Sequence, residues 1–142
     1  MTTGEKQRLF FLLVCQWGIA IQRLGYEATF GEGWRTDEQA EINALGPQGR
    51  LTLVKLLTTV PLFARLALTI ANNTGSGIRT SLHIDRLAVD VNLFKDGRYI
   101  ADGSSPEWAE VGKLWESLHE LARWGGRWGD GNHLSLEHEG RK

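Results

Sequence analysis

The chain has 142 residues, 42% of them hydrophobic and 23% charged, which suits one ordinary soluble domain and is too short for a catalytic domain plus a separate binding module. Sixteen basic against seventeen acidic side chains give a net charge of -1, so no overall field draws the protein to nucleic acid or to an anionic membrane, and any partner must be recognised locally. The single Cys15 excludes an intrachain disulfide and any multi-cysteine zinc motif, leaving His, Asp and Glu as the possible metal ligands.

Near the N-terminus Lys6 and Arg8 precede the apolar run Leu9 to Cys15. The run is short for a signal core and no small-x-small cleavage site follows it, so an amphipathic core helix is expected and a signal peptide is not. Phe10, Leu13, Val14, Trp17, Ile21 and Leu24 recur at helical spacing, with Gly25 as the stop. "YEATFGEGWRTDEQAEINALG" predicts a short strand, a glycine-bearing bend and a helix capped by Thr36, with Arg35 at the junction. Residues 51–71 are apolar and interrupted by Pro61, which predicts one short helix broken into a second near the proline. "NNTGSG" is a loop leading to Ser81, and "LAVDVNLF" alternates as a strand. Asp96-Gly97 supplies a hairpin turn, and "RYI" returns as the partner strand. From Ser105-Pro106 a helix carries Trp108, Val111, Leu114, Trp115, Leu118 and Leu121 on one side until Gly125-Gly126, and "HLSLE" forms a final strand. No segment approaches the roughly 20 apolar residues of a membrane span. The expected architecture is a single α+β domain over residues 1–142, a small antiparallel sheet with helices packed around it.

Alternation sends Val89, Val91 and Leu93 to one face of their strand and Asp90 and Asn92 to the other, and a turn brings His83 back towards Asp90. In "WGDGNHLSLE", Asp130 stands three residues before His133, where a strand begins. Hydrolytic zinc takes three protein ligands, an open fourth position for water, and a nearby carboxylate that is not a ligand. His83, Asp90 and His133 are the candidate ligands and Asp130 the candidate base.

Each residue also has a plainer reading. His83 alone suits a hydrogen-bonded turn histidine, Arg35 a surface cation paired with Glu38, and Ser81 a turn-closing serine. His138 is a competing third ligand, but parity puts it on the face opposite His133. Glu137 shares the His133 face and is expected to support a ligand. His119 is expected on the solvent side of its helix. The tryptophans at 115, 124 and 128 are core residues or, for one of them, a groove wall.

"SLHIDRLAVD" is similar to the Ser-x-His-x-x-Gly-x-Ala-x-Asp motif, and "DGNH" to the acidic-x-x-His motif, of the zinc D-Ala-D-Ala carboxypeptidase and L-alanyl-D-glutamate peptidase family. That family includes many short phage endolysins and belongs with the lysostaphin and hedgehog-type zinc folds. "GWRTDEQ" and "WGGRW" resemble the family's substrate-arginine segment and the approach to its last ligand, so the likeness spans about residues 28–138 in order, with nothing contributed by 47–76. The resemblance implies that His83, Asp90 and His133 bind zinc and that Asp130 is the general base and then acid. It also implies that Arg35 polarises the scissile carbonyl or grips a carboxylate, and that Ser81 helps hold the peptide.

The implied function is a monomeric zinc endolysin cutting the L-alanyl-D-glutamate bond of the peptidoglycan stem peptide, with no nucleic-acid partner. It would be made in the host cytoplasm and act in the periplasm or cell wall. A D-Ala-D-Ala carboxypeptidase with the same metal site is the alternative. A non-catalytic, zinc-stabilised binding module is a third reading, and Asp130 argues against it, since a purely structural site has no use for an unligated carboxylate. Two positions depart from the family pattern: Arg86 stands for its glycine and Asn132 for a frequent proline. The first puts the turn between two ligands in doubt, because a side chain adopts glycine's conformations only at a cost.

Overall fold

A capping box opens the chain, with Thr2 Oγ1 accepting from the Glu5 N–H at 3.3 Å and the Glu5 carboxylate taking the Thr2 N–H at 2.7 Å. Helix α1 (Thr3–Arg23) follows, burying Phe10, Leu13, Trp17 and Ile21, the expected stripe except for half-buried Val14 and exposed Leu24. The computed structural model describes residues 1–72 and 81–142, so the loop expected at "NNTGSG" lies, beyond Asn72, outside the described residues. Two compact units emerge, one made of residues 1–34 with 82–142 and the other of residues 35–81.

In the first unit, β1 (Tyr26–Phe30), β2 (Ala88–Lys95), β3 (Arg98–Tyr99), β4 (Ala122–Trp124) and β5 (His133–Leu136) form one sheet, and every pairing in it is antiparallel. The main order is β1-β2-β5-β4, with β3 also on β2. β2 alternates as expected: Val89, Val91 and Leu93 are buried, whereas Asp90 and Asn92 are half-buried on the other side. Asp96 and Gly97 both take positive φ, 51° and 72°, as a two-residue hairpin turn requires.

Helix α5 (Pro106–Leu118) starts as expected, with Ser105 Oγ capping the Trp108 N–H. It stops earlier than the sequence pattern predicts. His119 takes extended angles (φ −161°, ψ 148°), its Nδ1 accepts from the Leu121 N–H at 3.1 Å, and the chain turns directly into β4. His119 is therefore a half-buried cap and not a solvent-side helical residue.

Four indoles tie the core of this unit together, and each buried ring N–H finds a backbone carbonyl. Trp17 donates to Val111 at 2.8 Å, Trp108 to Ile100 at 3.1 Å, Trp115 to Arg123 at 3.0 Å, and Trp124 to Gly131 at 2.7 Å. The last bond positions the site, because it anchors the loop between β4 and β5. In the second unit, Thr36 caps α2 (Asp37–Ala44) as expected, its Oγ1 accepting from Gln39 N at 3.2 Å. The apolar stretch forms α3 (Gly46–Leu57), a 3-10 turn at Pro61–Phe63 and α4 (Ala64–Ala71), with α3 packed against α4.

Candidate metal centre

Register brings two of the three candidate ligands together, because Asp90 and His133 are directly paired across β2 and β5 and directly opposed residues of an antiparallel pair share a face. Asp90 is held on its other side as well, its N–H donating to Glu32 O and its carbonyl accepting from Gly31 N, both at 2.7 Å. A carboxylate in the middle of a strand bonded on both edges has little freedom to move.

His83 arrives from a turn rather than a strand. The Leu87 N–H donates to Leu82 O at 2.9 Å and the Arg86 N–H to His83 O at 3.2 Å, the paired bonds of a Schellman closure, with buried Leu82 and Leu87 meeting as its apolar contact. Such a closure needs a left-handed residue just before its last position, and Arg86 supplies it with φ 55°. The motif that this stretch resembles has a glycine at this position, and here the arginine adopts the left-handed conformation with the turn's backbone bonds intact. Its guanidinium lies 5.1 Å from the ring centre of Trp34, and both residues line an apolar cavity of about 600 Å³. Val89 also lines that cavity, which places it on the sheet face opposite Asp90.

Stacking recovers part of the cost of the left-handed arginine. Denaturant melts should therefore rank Arg86→Ala about 0.5–1 kcal/mol below wild type, from the lost cation–π contact. Arg86→Gly should stand about 1 kcal/mol above Arg86→Ala, because only glycine takes this φ freely. An alanine variant as stable as the glycine variant would remove this account of the turn.

The three groups converge. Asp90 Oδ1 lies 3.0 Å from His133 Nδ1 and 3.4 Å from His83 Nε2, and the rings of His83 and His133 are 5.2 Å apart, edge to face. One potential ligand atom from each residue falls within 4.8 Å of the others. Both histidines are buried, at 3% and 8% exposure, whereas the Asp90 side chain keeps 23%. Two imidazole nitrogens and a carboxylate oxygen suit zinc, with room for a fourth, non-protein position. Burial opposes ionisation of Asp90, but hydrogen bonds and charge from His133 and His83 outweigh it and hold the carboxyl well below the usual carboxylate range.

Asp130 is exposed on the loop between β4 and β5, its N–H bonded to Gly125 O at 2.9 Å and its carbonyl accepting from the His133 N–H at 3.1 Å. A Cβ on Gly125 would collide with Asp130 O and press on His133 Cβ, so only glycine lets this loop fold tightly beneath the two residues. Partial desolvation pushes the Asp130 carboxyl above its ordinary value; the Asp90 charge adds to this, and His133 and His83 oppose it. Asp130 therefore senses the charge of all three candidate ligands, with no hydrogen bond to any of their side chains among the described residues.

Arg35 and Ser81 are the first and last residues of the second unit, and both are half-buried. His138 stands apart from the cluster, within 3.4 Å of Thr3 and Lys6. Glu137 is not a ligand support: Arg123 engages its carboxylate at 2.6 and 3.0 Å. Of the three tryptophans in question, 115 and 124 are core. Trp128 is 45% exposed, with its ring 6.3 Å from that of His133.

Residues 74–136 match the family model described as D-alanyl-D-alanine carboxypeptidase. Among solved structures the chain is similar to a mutant of VanY, a vancomycin resistance D,D-pentapeptidase from a VanB-type resistance cassette, in complex with Zn(II). Identity is 14% over 89% of this chain and 70% of that one, with a TM-score of 0.51, so the likeness is one of α+β fold. No curated protein matches the chain.

Proposed function

We propose that the chain is a zinc metallopeptidase of cell-wall peptides, of the D-alanyl-D-alanine carboxypeptidase type that residues 74–136 match, and that it cuts the L-alanyl-D-glutamate bond of the peptidoglycan stem peptide. The observation that carries a hydrolytic reading is the His83, Asp90 and His133 cluster with Asp130 beside it on a separate loop. In this reading His83, Asp90 and His133 hold the ion. Bound there, zinc supplies Lewis acidity and lowers the pKa of a coordinated water to about 7.

The chain's own groups then have distinct tasks. Asp130 takes the proton of the attacking water on its carboxylate and passes it to the leaving amine nitrogen. The backbone bonds from Asp130 to Gly125 and from His133 to Asp130 hold the loop that carries this carboxylate next to His133. Arg35 contributes a guanidinium that steadies negative charge on the scissile carbonyl oxygen or binds a substrate carboxylate, and Ser81 holds the peptide. Trp128 walls the substrate side of His133. We assign the protein the role of a monomeric phage endolysin acting at the wall, an assignment that rests on the motif resemblance.

A D-Ala-D-Ala carboxypeptidase is the second reading, favoured by the descriptions of the matching family and of VanY. Digesting purified sacculi and analysing the fragments by mass spectrometry separates the two. The first reading expects stem peptides freed of their L-alanine with a new D-glutamate amino terminus. Free D-alanine with intact L-alanyl-D-glutamate bonds establishes the second and removes the first.

A further inference from the structure

The peptidase reading leaves residues 46–71 without a task. Over residues 42–84 the chain has four basic side chains, Arg50, Lys55, Arg65 and Arg79, and no acidic one, in a protein that otherwise carries an excess of five acidic groups. The same stretch turns large apolar side chains outward. Leu56 is 64% exposed, Leu62 84% and Leu68 65%, with Leu51, Val60, Phe63 and Leu66 also exposed, and α3 buries none of its residues. Soluble helices usually hide such a face.

We propose that the α3–α4 hairpin is an interfacial anchor that docks on an anionic phospholipid bilayer. Lys55 stands one turn from Leu51 on α3, and Arg65 one turn from Leu68 on α4, so cations flank the outward leucines. Their long stems let the charges reach headgroup phosphates while the leucines enter the acyl boundary. The helices have 12 and 8 residues, and no described helix is long and apolar enough to cross a membrane, so the hairpin lies in the interface. Nucleic acid would satisfy the cations but leave the leucines and Phe63 in water, so lipid fits the surface better. The overall charge of -1 hides this patch, which is a local feature.

The test uses the full zinc-loaded chain in co-sedimentation with vesicles of phosphatidylglycerol mixed with phosphatidylcholine, and of phosphatidylcholine alone. Wild type is expected to bind the anionic vesicles, to bind the neutral ones weakly, and to be released by salt. The R50Q/K55Q/R65Q variant should lose roughly 100-fold in partitioning, at about fivefold per cation near an anionic surface. The L62S/L68S variant should also lose binding while keeping its charge. Zinc content and hydrolysis of a soluble muropeptide, unchanged in both variants, show that they are folded. Failure of wild type to sediment with the anionic vesicles overturns the proposal, as does undiminished binding by either variant or displacement of the protein from vesicles by duplex DNA. None of these results depends on which peptide bond is cut.

Discussion

The His83→Ala protein is expected to lose its zinc and its peptidase activity together while keeping its fold. The turn that presents His83 is closed by the backbone bonds from Leu87 to Leu82 and from Arg86 to His83, and by the buried leucines, none of which involves the imidazole. Asp85 ties the same turn to Arg141 by an ion pair at 2.6 Å, and its carbonyl accepts from Gln7 Nε2 at 2.8 Å. Removing the ring therefore takes away one of the three proposed ligands and little of the scaffold. Loss of a supporting partner alone costs metal affinity about 10- to 100-fold, so loss of a ligand should cost more. The ion supplies several kcal/mol of transition-state stabilisation, which converts to a fall in rate of at least about 10³-fold. Elemental analysis of the purified variant, with circular dichroism to verify folding, reads both effects. A folded variant retaining stoichiometric zinc would remove His83 from the ligand set.

The clustering of His83, Asp90 and His133 is legible in part because two physical regularities expose it. Period-two alternation in "LAVDVNLF" isolates Asp90 from its aliphatic neighbours, and a histidine at the start of a short strand lands opposite it once the strands pair in register. Sequence spacing says nothing about that register, and the direct Asp90–His133 pairing is a tertiary fact. β4 was illegible for a related reason: Ala122–Trp124 is three residues long, too short for a period, and Trp115, Leu118 and Leu121 continue the helical stripe past the real stop. His119 ends that helix by bonding backbone with its ring, a cap that lacks the glycine signal sought at C-termini. At Glu137 parity gives a face and not a neighbour, and it is Arg123 that engages the carboxylate. At Arg86 the position does require left-handed backbone, as the glycine of the resembled motif implies, and aromatic stacking offsets part of its cost.

In the proposed reading Asp130 separates holding the metal from using it. The Asp130→Ala protein is expected to keep its zinc, because among the described residues the side chain stands outside the group of three proposed ligands, and to hydrolyse stem peptide about 10²- to 10⁴-fold more slowly, the usual cost of a lost general base. A fall in kcat with zinc content unchanged places the carboxylate in the proton transfer; full lytic activity would refute its role. Stability supplies a second, independent readout. The folded state raises the Asp130 pKa, so it binds the proton more tightly than the unfolded chain does. Stability from this group is therefore complete below the unfolded pKa and declines as pH rises through the raised folded value, leaving the ionised carboxylate a net cost at neutral pH. Metal-free Asp130→Asn should accordingly melt above metal-free wild type at pH 7, by a small margin because the position is exposed and solvent screens it. The margin should vanish at about pH 3, where wild type is largely protonated in both states. A group kept at a small cost in stability because chemistry needs it is the expected signature of a catalytic base, whereas a carboxylate serving structure would lower the melting temperature when removed.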